Sequence, residues 1–296
     1  MLPNTELNRL KSSQLELVEL NCGTAQATLT LQGAHLVSYR NQNVEHLWLS
    51  PKSLFEPGKP IRGGVPICWP WFAKHPTDDS QPMHGFARTS VWQLTSKEEH
   101  PERSTLGLRL ASSDPDYPLQ ADLLVELTPT ELSLSLTTIN LGDTDYSLTE
   151  ALHTYLPVSD LENAALHGLQ NTHYADKLQN FAQQRETRKA VYLKEPTDRV
   201  YFDTRESLTL IDAGWGRTTN IRKQGSGATV VWNAGEIIAA GMSDLGVENY
   251  RGYICVEAAN ALEAAVSLAP GKSHTLRQQL STTDILNNLA ARPLCL

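Results

Sequence analysis

The chain has 296 residues, of which 40% are hydrophobic, and a formal net charge of −8 at pH 7. This acidic balance, without a basic tail or stripe, argues against nucleic acid as a partner. There is no apolar run of about 18 residues that could span a membrane, and the four cysteines form no CxxC pair, which indicates reduced thiols rather than disulfides or zinc.

The first part of the chain predicts short strands. Residues 1–6 are too polar for a signal peptide, so together with the reduced thiols they predict a cytoplasmic protein. Alternating apolar residues punctuated by glycines then predict strands at residues 15–17, 27–31, 36–39 and 45–49.

Residues 62–88 fit neither a helix nor a strand. The sequence over 62–72 is RGGVPICWPWF, where glycines permit tight turns and prolines interrupt strand pairing. Arg62 and Arg88 bracket the stretch, and His84 lies inside it. Aromatic rings, two arginines and a histidine on stiff backbone indicate a polar pocket with a flat wall, suited to a sugar that carries an anion. A packed aromatic loop with surface arginines accounts for the same pattern.

The clearest strand signals follow this stretch. Leucines alternate with polar residues over 105–110, 121–127 and 131–139, which predicts half-buried antiparallel strands. Residues 170–198 are polar and predict a loop with little core, and residues 283–289 predict a short helix. Further strands are predicted at 146–155, 199–202, 208–212, 228–232, 236–242, 252–257, 264–268 and 275–280. This spacing, almost without helical periodicity, predicts an all-β fold, a large antiparallel sandwich forming a single domain over residues 1–296.

Two of these strands carry titratable side chains on their less apolar face. His153 shares a face with Tyr155, and Glu257, at the predicted end of its strand, shares a face with Cys255. A histidine and a glutamate that face each other across a small molecule form an acid/base pair, which moves protons without a metal or redox cofactor. Taken singly, each residue is more often a hydrogen-bonded structural one.

Other kinds of catalytic site are less well supported by the residues. A glycosidase with paired carboxylates needs a second acid, but alternation places Glu150 on the face opposite His153. The histidines show no metal-ligand spacing, and the Gly-Ser-Gly triplet at 225–227 lacks the lysine of a phosphate loop. The sequence therefore predicts neither a metal nor another cofactor.

The motifs at residues 62–72 and 84–88 resemble the signature of the hexose-6-phosphate mutarotases, also called glucose-6-phosphate 1-epimerases, a branch of the aldose 1-epimerase superfamily. The resemblance covers nearly the whole chain in order and is greatest to the bacterial members. It continues through residues 31–36, 47–50, 151–155, 197–201, 231–233 and 255–257. It implies the galactose-mutarotase-like fold, a large β-supersandwich with its site in a concave cleft.

The resemblance also implies roles for individual residues. Glu257 would be the base that removes the proton from the C1 hydroxyl, and His153 the acid that protonates the ring oxygen. The ring would open to the aldehyde, rotate about C1–C2 and close as the other anomer. Arg62 and Arg88 would hold the phosphate, whose oxygens suit the planar guanidinium fork.

Three further residues bear on the sugar in this family. Asp198 would contact sugar hydroxyls, and His84 would lie close to the sugar. Met83 departs from the pattern, because some relatives have a glutamine there that contacts substrate, so the preferred hexose stays open.

The residues and the resemblance together predict a monomeric, cofactor-free enzyme acting on a small hexose phosphate, glucose 6-phosphate first, with no nucleic acid or membrane partner. An epimerase of unphosphorylated aldoses and a non-catalytic carbohydrate- or sugar-phosphate-binding β-sandwich are the alternatives.

Overall fold

The computed structural model describes residues 5–112, 114–194, 196–204 and 207–284. It contains the helices α1 (Thr5–Lys11) and α2 (Gly235–Ala240), and neither is long and apolar enough to cross a membrane. The strands, in chain order, are β1 (Leu17–Cys22), β2 (Ala25–Thr30), β3 (His35–Asn41), β4 (Val44–Glu45), β5 (Ile67–Cys68), β6 (Gln93–Glu98), β7 (Ser104–Ala111), β8 (Leu119–Leu127), β9 (Leu132–Asn140), β10 (Tyr146–Leu148), β11 (Glu150–Leu152), β12 (Tyr155–Pro157), β13 (Ala164–His167), β14 (His173–Asp176), β15 (Ala182–Arg185), β16 (Ala190–Val191), β17 (Thr197–Phe202), β18 (Leu208–Asp212), β19 (Arg217–Gln224), β20 (Ala228–Asn233), β21 (Tyr253–Asn260), β22 (Val266–Leu268) and β23 (Ser273–Asp284).

Two large antiparallel sheets form the body of the molecule. The nine-stranded sheet has the order β16-β13-β18-β19-β23-β9-β8-β7-β6. The eight-stranded sheet has the order β15-β14-β17-β20-β21-β11-β5, with β12 also paired to β21. A four-stranded sheet, β1 to β4, and the pair β10–β22 accompany them. The predicted all-β antiparallel architecture is confirmed.

The main core lies between the two large sheets. Strand β8 alternates strictly between buried and more exposed positions, as its sequence predicts. Its Leu123 and Leu134 of β9 join Ile254 and Val256 of β21 in one cluster of buried side chains. Full burial of such a side chain contributes about 1.5–3 kcal/mol. Because Ile254 and Val256 face this core, Glu257 faces the other side of the eight-stranded sheet.

The prediction of a strand at residues 236–242 was wrong, because the segment is mostly helical. Helix α2 buries Ala239 and leaves Ile237 82% exposed. Gly235, the first residue of α2, has a φ of +58° and turns the chain away from β20. A short apolar run is compatible with a buried strand and with a helical turn, and periodicity does not separate the two.

The loop predicted at residues 170–198 was also wrong. The segment contains β14, β15 and β16 and buries the carboxylates of Asp176 and Glu186. Arg199 pairs with Asp176, and Arg188 pairs with Glu186. A polar composition conceals such strands, because their buried charges are satisfied by pairing rather than by apolar packing.

Three smaller differences concern the predicted site and the C-terminus. The strand predicted at 146–155 is divided, and His153 lies in the connection between β11 and β12. Strand β21 continues beyond Glu257, and β17 begins early enough to include Asp198. Residues 283 and 284 belong to β23 rather than to the predicted helix, and residues 285–289 lie outside the described residues.

The two halves of the 62–88 stretch meet through a backbone contact. Gly85 pairs with Trp69, whose indole is fully buried and donates a hydrogen bond of 2.9 Å to the Thr138 hydroxyl. The peptide bond between Trp69 and Pro70 is cis. At Gly85, φ is +72°, and an added Cβ would lie 2.0 Å from the carbonyl oxygen of Trp69. Glycine is required here both by backbone conformation and by space.

We predict that Gly85→Ala lowers the free energy of unfolding by about 3 kcal/mol, from left-handed strain together with displaced backbone. Gly58→Ala is the matched control, because Gly58 has a φ of +75° but open space around an added Cβ. It should cost only about 1 kcal/mol. Urea unfolding of both variants measures the difference, and equal losses would contradict the role assigned to the contact with Trp69.

Candidate active site

A pocket with a volume of about 330 Å³ opens on the face of the eight-stranded sheet that points away from the main core. The six site residues singled out from the sequence all line it: Arg62, His84, Arg88, His153, Asp198 and Glu257. A more open depression of about 580 Å³ lies between α1 and residues 53–56, and none of the six lines it. The fold thus collects residues from distant segments into one cavity.

His153 and Glu257 face each other at the bottom of this pocket. The His153 Nε2 atom lies 3.3 Å from Oε1 of Glu257, which is fully buried on β21. Among the described residues, neither carboxylate oxygen of Glu257 has a hydrogen-bond partner, and neither does Nδ1 of His153. Buried polar atoms without partners are costly, which is typical of groups held for a ligand or for chemistry.

The surroundings move the pKa values of this pair in opposite directions. Burial, together with the nearby Asp198 carboxylate, raises the pKa of Glu257 well above its usual range, and Lys177 opposes that shift. Burial, together with the positive charges of Arg62, Arg88 and Lys177, lowers the pKa of His153 to about 3. These surroundings therefore favour the neutral form of each group, the protonated carboxyl of Glu257 and the unprotonated ring of His153.

The position of His153 is set by stacking and by the 62–72 stretch. Its ring stacks on Tyr155 at 4.9 Å between centroids, and Tyr155 stacks on Trp48 at 5.8 Å. The His153 amide donates to the carbonyl of Pro66, and the Tyr155 amide donates to the carbonyl of Gly64. These contacts hold the ring in the gap between β11 and β12.

The two arginines differ in how the protein compensates their charge. Arg62 donates from Nε to Oδ2 of Asp244 and from Nη1 to the Tyr155 hydroxyl, and its Nη2 atom lies 2.9 Å from the same Oδ2. Arg88 donates from Nη2 to the carbonyl oxygen of Met83, at 2.7 Å. No carboxylate of the described residues lies within ion-pairing distance of Arg88, and burial lowers its pKa. Arg88 is therefore the pocket cation best placed to receive an external anion.

His84 is fixed by a reciprocal contact with Ala73. The Ala73 amide donates to Nδ1 of His84 at 3.1 Å, and the His84 amide donates to the Ala73 carbonyl at 2.7 Å. Burial lowers the pKa of His84 well below its usual value. The neutral ring therefore carries its proton on Nε2, where it can serve as a donor.

The aromatic wall predicted from residues 69–72 is only partly correct. Trp69 and Trp71 are buried inside the protein, and of the three rings only Phe72 lines the pocket. Tyr155 and Trp232 supply the remaining aromatic surface. The clustering of aromatic residues in the sequence did not distinguish side chains that pack inward from those that face the pocket.

Two charged residues of the site were missed by the sequence analysis. Lys177 lines the pocket, with its Nζ atom 2.8 Å from Oδ2 of Asp198. Asp244 forms the ion pair with Arg62. Lys177 lies in the polar segment interpreted as a loop, and Asp244 had no signal of its own. Each reaches the site by pairing with a residue that is distant in the sequence, Lys177 with Asp198 and Asp244 with Arg62.

Comparisons with known proteins bear on the family and the fold of the chain. The family model described as aldose 1-epimerase matches residues 16–281. A protein of Escherichia coli K12 that carries the provisional name glucose-6-phosphate 1-epimerase is 32% identical over 265 residues, with 87% of each chain covered.

Solved structures also resemble the chain. A Salmonella typhimurium protein provisionally described as a mutarotase superposes with a TM-score of 0.85 at 26% identity, covering 94% of this chain and 99% of that one. Galactose 1-epimerase from Lactobacillus acidophilus has a TM-score of 0.68 at 16% identity over 92% of this chain and 99% of that one, a likeness of fold. The architecture is therefore galactose-mutarotase-like.

We predict that Glu257→Gln stabilises the folded protein, and that the gain increases with pH. Because the pKa of Glu257 is raised in the fold, its contribution to stability is fully present below the unfolded pKa and is lost as pH rises. The glutamine side chain does not ionise, so the variant does not lose this stability as the pH rises. Thermal unfolding at about pH 5 and about pH 8 tests this, with the exposed carboxyl variant Glu98→Gln as control. A gain that is the same at both pH values would contradict the prediction.

Proposed function

Since the chain belongs to the aldose 1-epimerase family, we propose that it interconverts the α and β anomers of aldohexose 6-phosphates, glucose 6-phosphate first. Glu257 acts as the base and His153 as the acid. The observation that carries the proposal is that these two groups lie 3.3 Å apart in a pocket that also contains the uncompensated charge of Arg88.

The chemistry needs one proton acceptor and one proton donor on the two oxygens of the anomeric centre. Glu257 takes the proton of the C1 hydroxyl, the electrons of that O–H bond form the C1=O double bond, and the bond from C1 to the ring oxygen breaks. The ring oxygen takes the proton of His153. After rotation about C1–C2, the reverse transfers close the ring. A general acid and a general base each typically accelerate such a reaction by about 10²- to 10⁴-fold.

Ring opening starts with Glu257 ionised and His153 protonated, a state that burial of the two groups and the lowered pKa of His153 both oppose. A phosphate bound by Arg62 and Arg88 offsets part of the positive charge that lowers the pKa of His153. Binding of the anionic substrate thus favours the protonated form of His153. Opening then moves the proton to Glu257, the distribution that the buried site stabilises.

The phosphate preference is supported by the arginines and by the relatives. Arg88 has no carboxylate partner among the described residues, while Arg62 is oriented by Asp244 and Tyr155. A guanidinium group can donate two parallel hydrogen bonds to phosphate oxygens. The Escherichia coli relative is provisionally named for glucose 6-phosphate.

We predict that the protein accelerates anomer exchange of equilibrated glucose 6-phosphate, and that Glu257→Gln slows it by at least about 10²-fold because the base is lost. NMR saturation transfer between the anomeric protons measures the rate, with protein-free buffer as reference. No acceleration over buffer on glucose 6-phosphate or on free glucose would leave a non-catalytic binding protein.

We predict that Arg88→Met lowers kcat/KM for glucose 6-phosphate by about 10- to 100-fold, the loss expected for charge-assisted hydrogen bonds, and changes kcat/KM for free glucose much less. Arg109→Met is the control, because Arg109 pairs with Asp122 on the surface, outside the pocket. Wild-type rates that are equal on the two sugars would favour an epimerase of unphosphorylated aldoses.

A further inference from the structure

Lys177 is a pocket cation that neither the acid/base steps nor the phosphate site uses. We propose that Lys177 is a positioning residue, which binds one oxygen of Asp198 so that the other oxygen accepts a hydroxyl of the bound sugar beside Glu257. The inference rests on the proposed function for the class of ligand, a sugar, and does not depend on turnover.

The geometry of the pair supports this role. The Lys177 Nζ atom lies 2.8 Å from Oδ2 of Asp198, with only 19% and 17% of the two side chains exposed. The pair is therefore better protected from solvent than surface ion pairs, which contribute little. The same ammonium lies 5.3 Å from the centre of the Phe72 ring, a cation–π contact that restricts where it can move.

The second oxygen of Asp198 is the atom that points to a ligand. Oδ1 is buried and has no hydrogen-bond partner among the described residues, although Asp198 lines the pocket. A buried acceptor without a donor carries a desolvation penalty that a donor from outside the protein can remove. A sugar hydroxyl is such a donor, whereas a phosphate dianion offers only acceptors and would repel the carboxylate.

The backbone around Lys177 fixes its direction of approach. Lys177 begins a 3₁₀ turn, Lys177–Gln179, which the Asp176 side chain caps by accepting a hydrogen bond of 3.1 Å from the Leu178 amide. Asp176 also pairs with Arg199 at 3.3 Å. Because Asp198 and Arg199 are consecutive in β17, the two ion pairs lie on opposite faces of the sheet. One pair links β14 to β17, and the other links the 3₁₀ turn directly after β14 to β17, so one can serve as a structural control for the other.

Lys177 also balances a charge next to the base. Asp198 raises the pKa of Glu257, and Lys177 lowers it. Removing the ammonium while keeping the carboxylate should therefore make Glu257 harder to ionise. Lys177 also lowers the pKa of His153. In Lys177→Met, both limbs of the pH profile of kcat/KM for glucose 6-phosphate should therefore move to higher pH, which the loss of a structural contact alone would not cause.

The test measures binding by calorimetry of two sugars that cannot change anomer, 1,5-anhydroglucitol 6-phosphate and 1,5-anhydroglucitol. Lys177→Met should lower the affinity for both sugars by at least about tenfold, because a hydrogen bond to a charged group is disturbed. Lys177→Arg should lose less affinity than Lys177→Met, and Arg199→Met should leave both affinities unchanged. In an Asp198→Asn background, Lys177→Met should add no more than about a twofold loss, since the two residues act as a unit.

Three results would overturn the proposal. A loss confined to the phosphorylated sugar would make Lys177 a phosphate ligand. An equal loss of affinity in Arg199→Met would show that the Lys177–Asp198 pair has only a structural role. Additive losses of affinity in the double variant with Asp198→Asn would show that the two residues act independently. If Lys177→Met does not fold, Lys177→Gln takes its place. A wild type that binds both sugars without accelerating anomer exchange would refute the proposed function while leaving this inference open to the same binding test.

Discussion

The burial of the Glu257 carboxylate on β21 is the constraint on which the rest of the site depends. Every residue of β21 is buried, and the strand is paired with β20 on one side and with β11 and β12 on the other. Ile254 and Val256 anchor one face in the main core, so Glu257 cannot turn away from the pocket. An unpaired buried carboxylate opposes folding, and the packing of two large sheets is what holds it in place.

The charges around Glu257 are arranged in pairs, with one exception. Arg62 is compensated by Asp244, and Lys177 by Asp198. Among the described residues, Arg88 donates to a backbone carbonyl and has no carboxylate partner, so it leaves a positive charge in the pocket. Paired charges give the side chains fixed directions, while the unpaired one provides attraction for a ligand. Burial and the same arginines lower the pKa of His153, which ties anion binding to the protonation state of the acid.

The irregular stretch at residues 62–88 supports the backbone around His153 at a break in the sheet. A histidine in an uninterrupted strand would have its direction set by the pleat. Here the ladder breaks between β11 and β12, and the carbonyls of Gly64 and Pro66 accept the hydrogen bonds of the displaced backbone. The ring of His153 is thereby free to face Glu257. The close contact of Gly85 with Trp69 keeps the stretch itself in place.

The sequence by itself determined the fold class and most of the candidate site. Period-two alternation over residues 105–139 reports burial on one face, a local property, and the motifs at 62–88 indicated the residue types of the pocket. Only the tertiary structure decided that His153 and Glu257 lie 3.3 Å apart and that Lys177 reaches Asp198. The physical reason is that strand order and register set the distances between remote side chains, whereas alternation specifies only which face each side chain occupies.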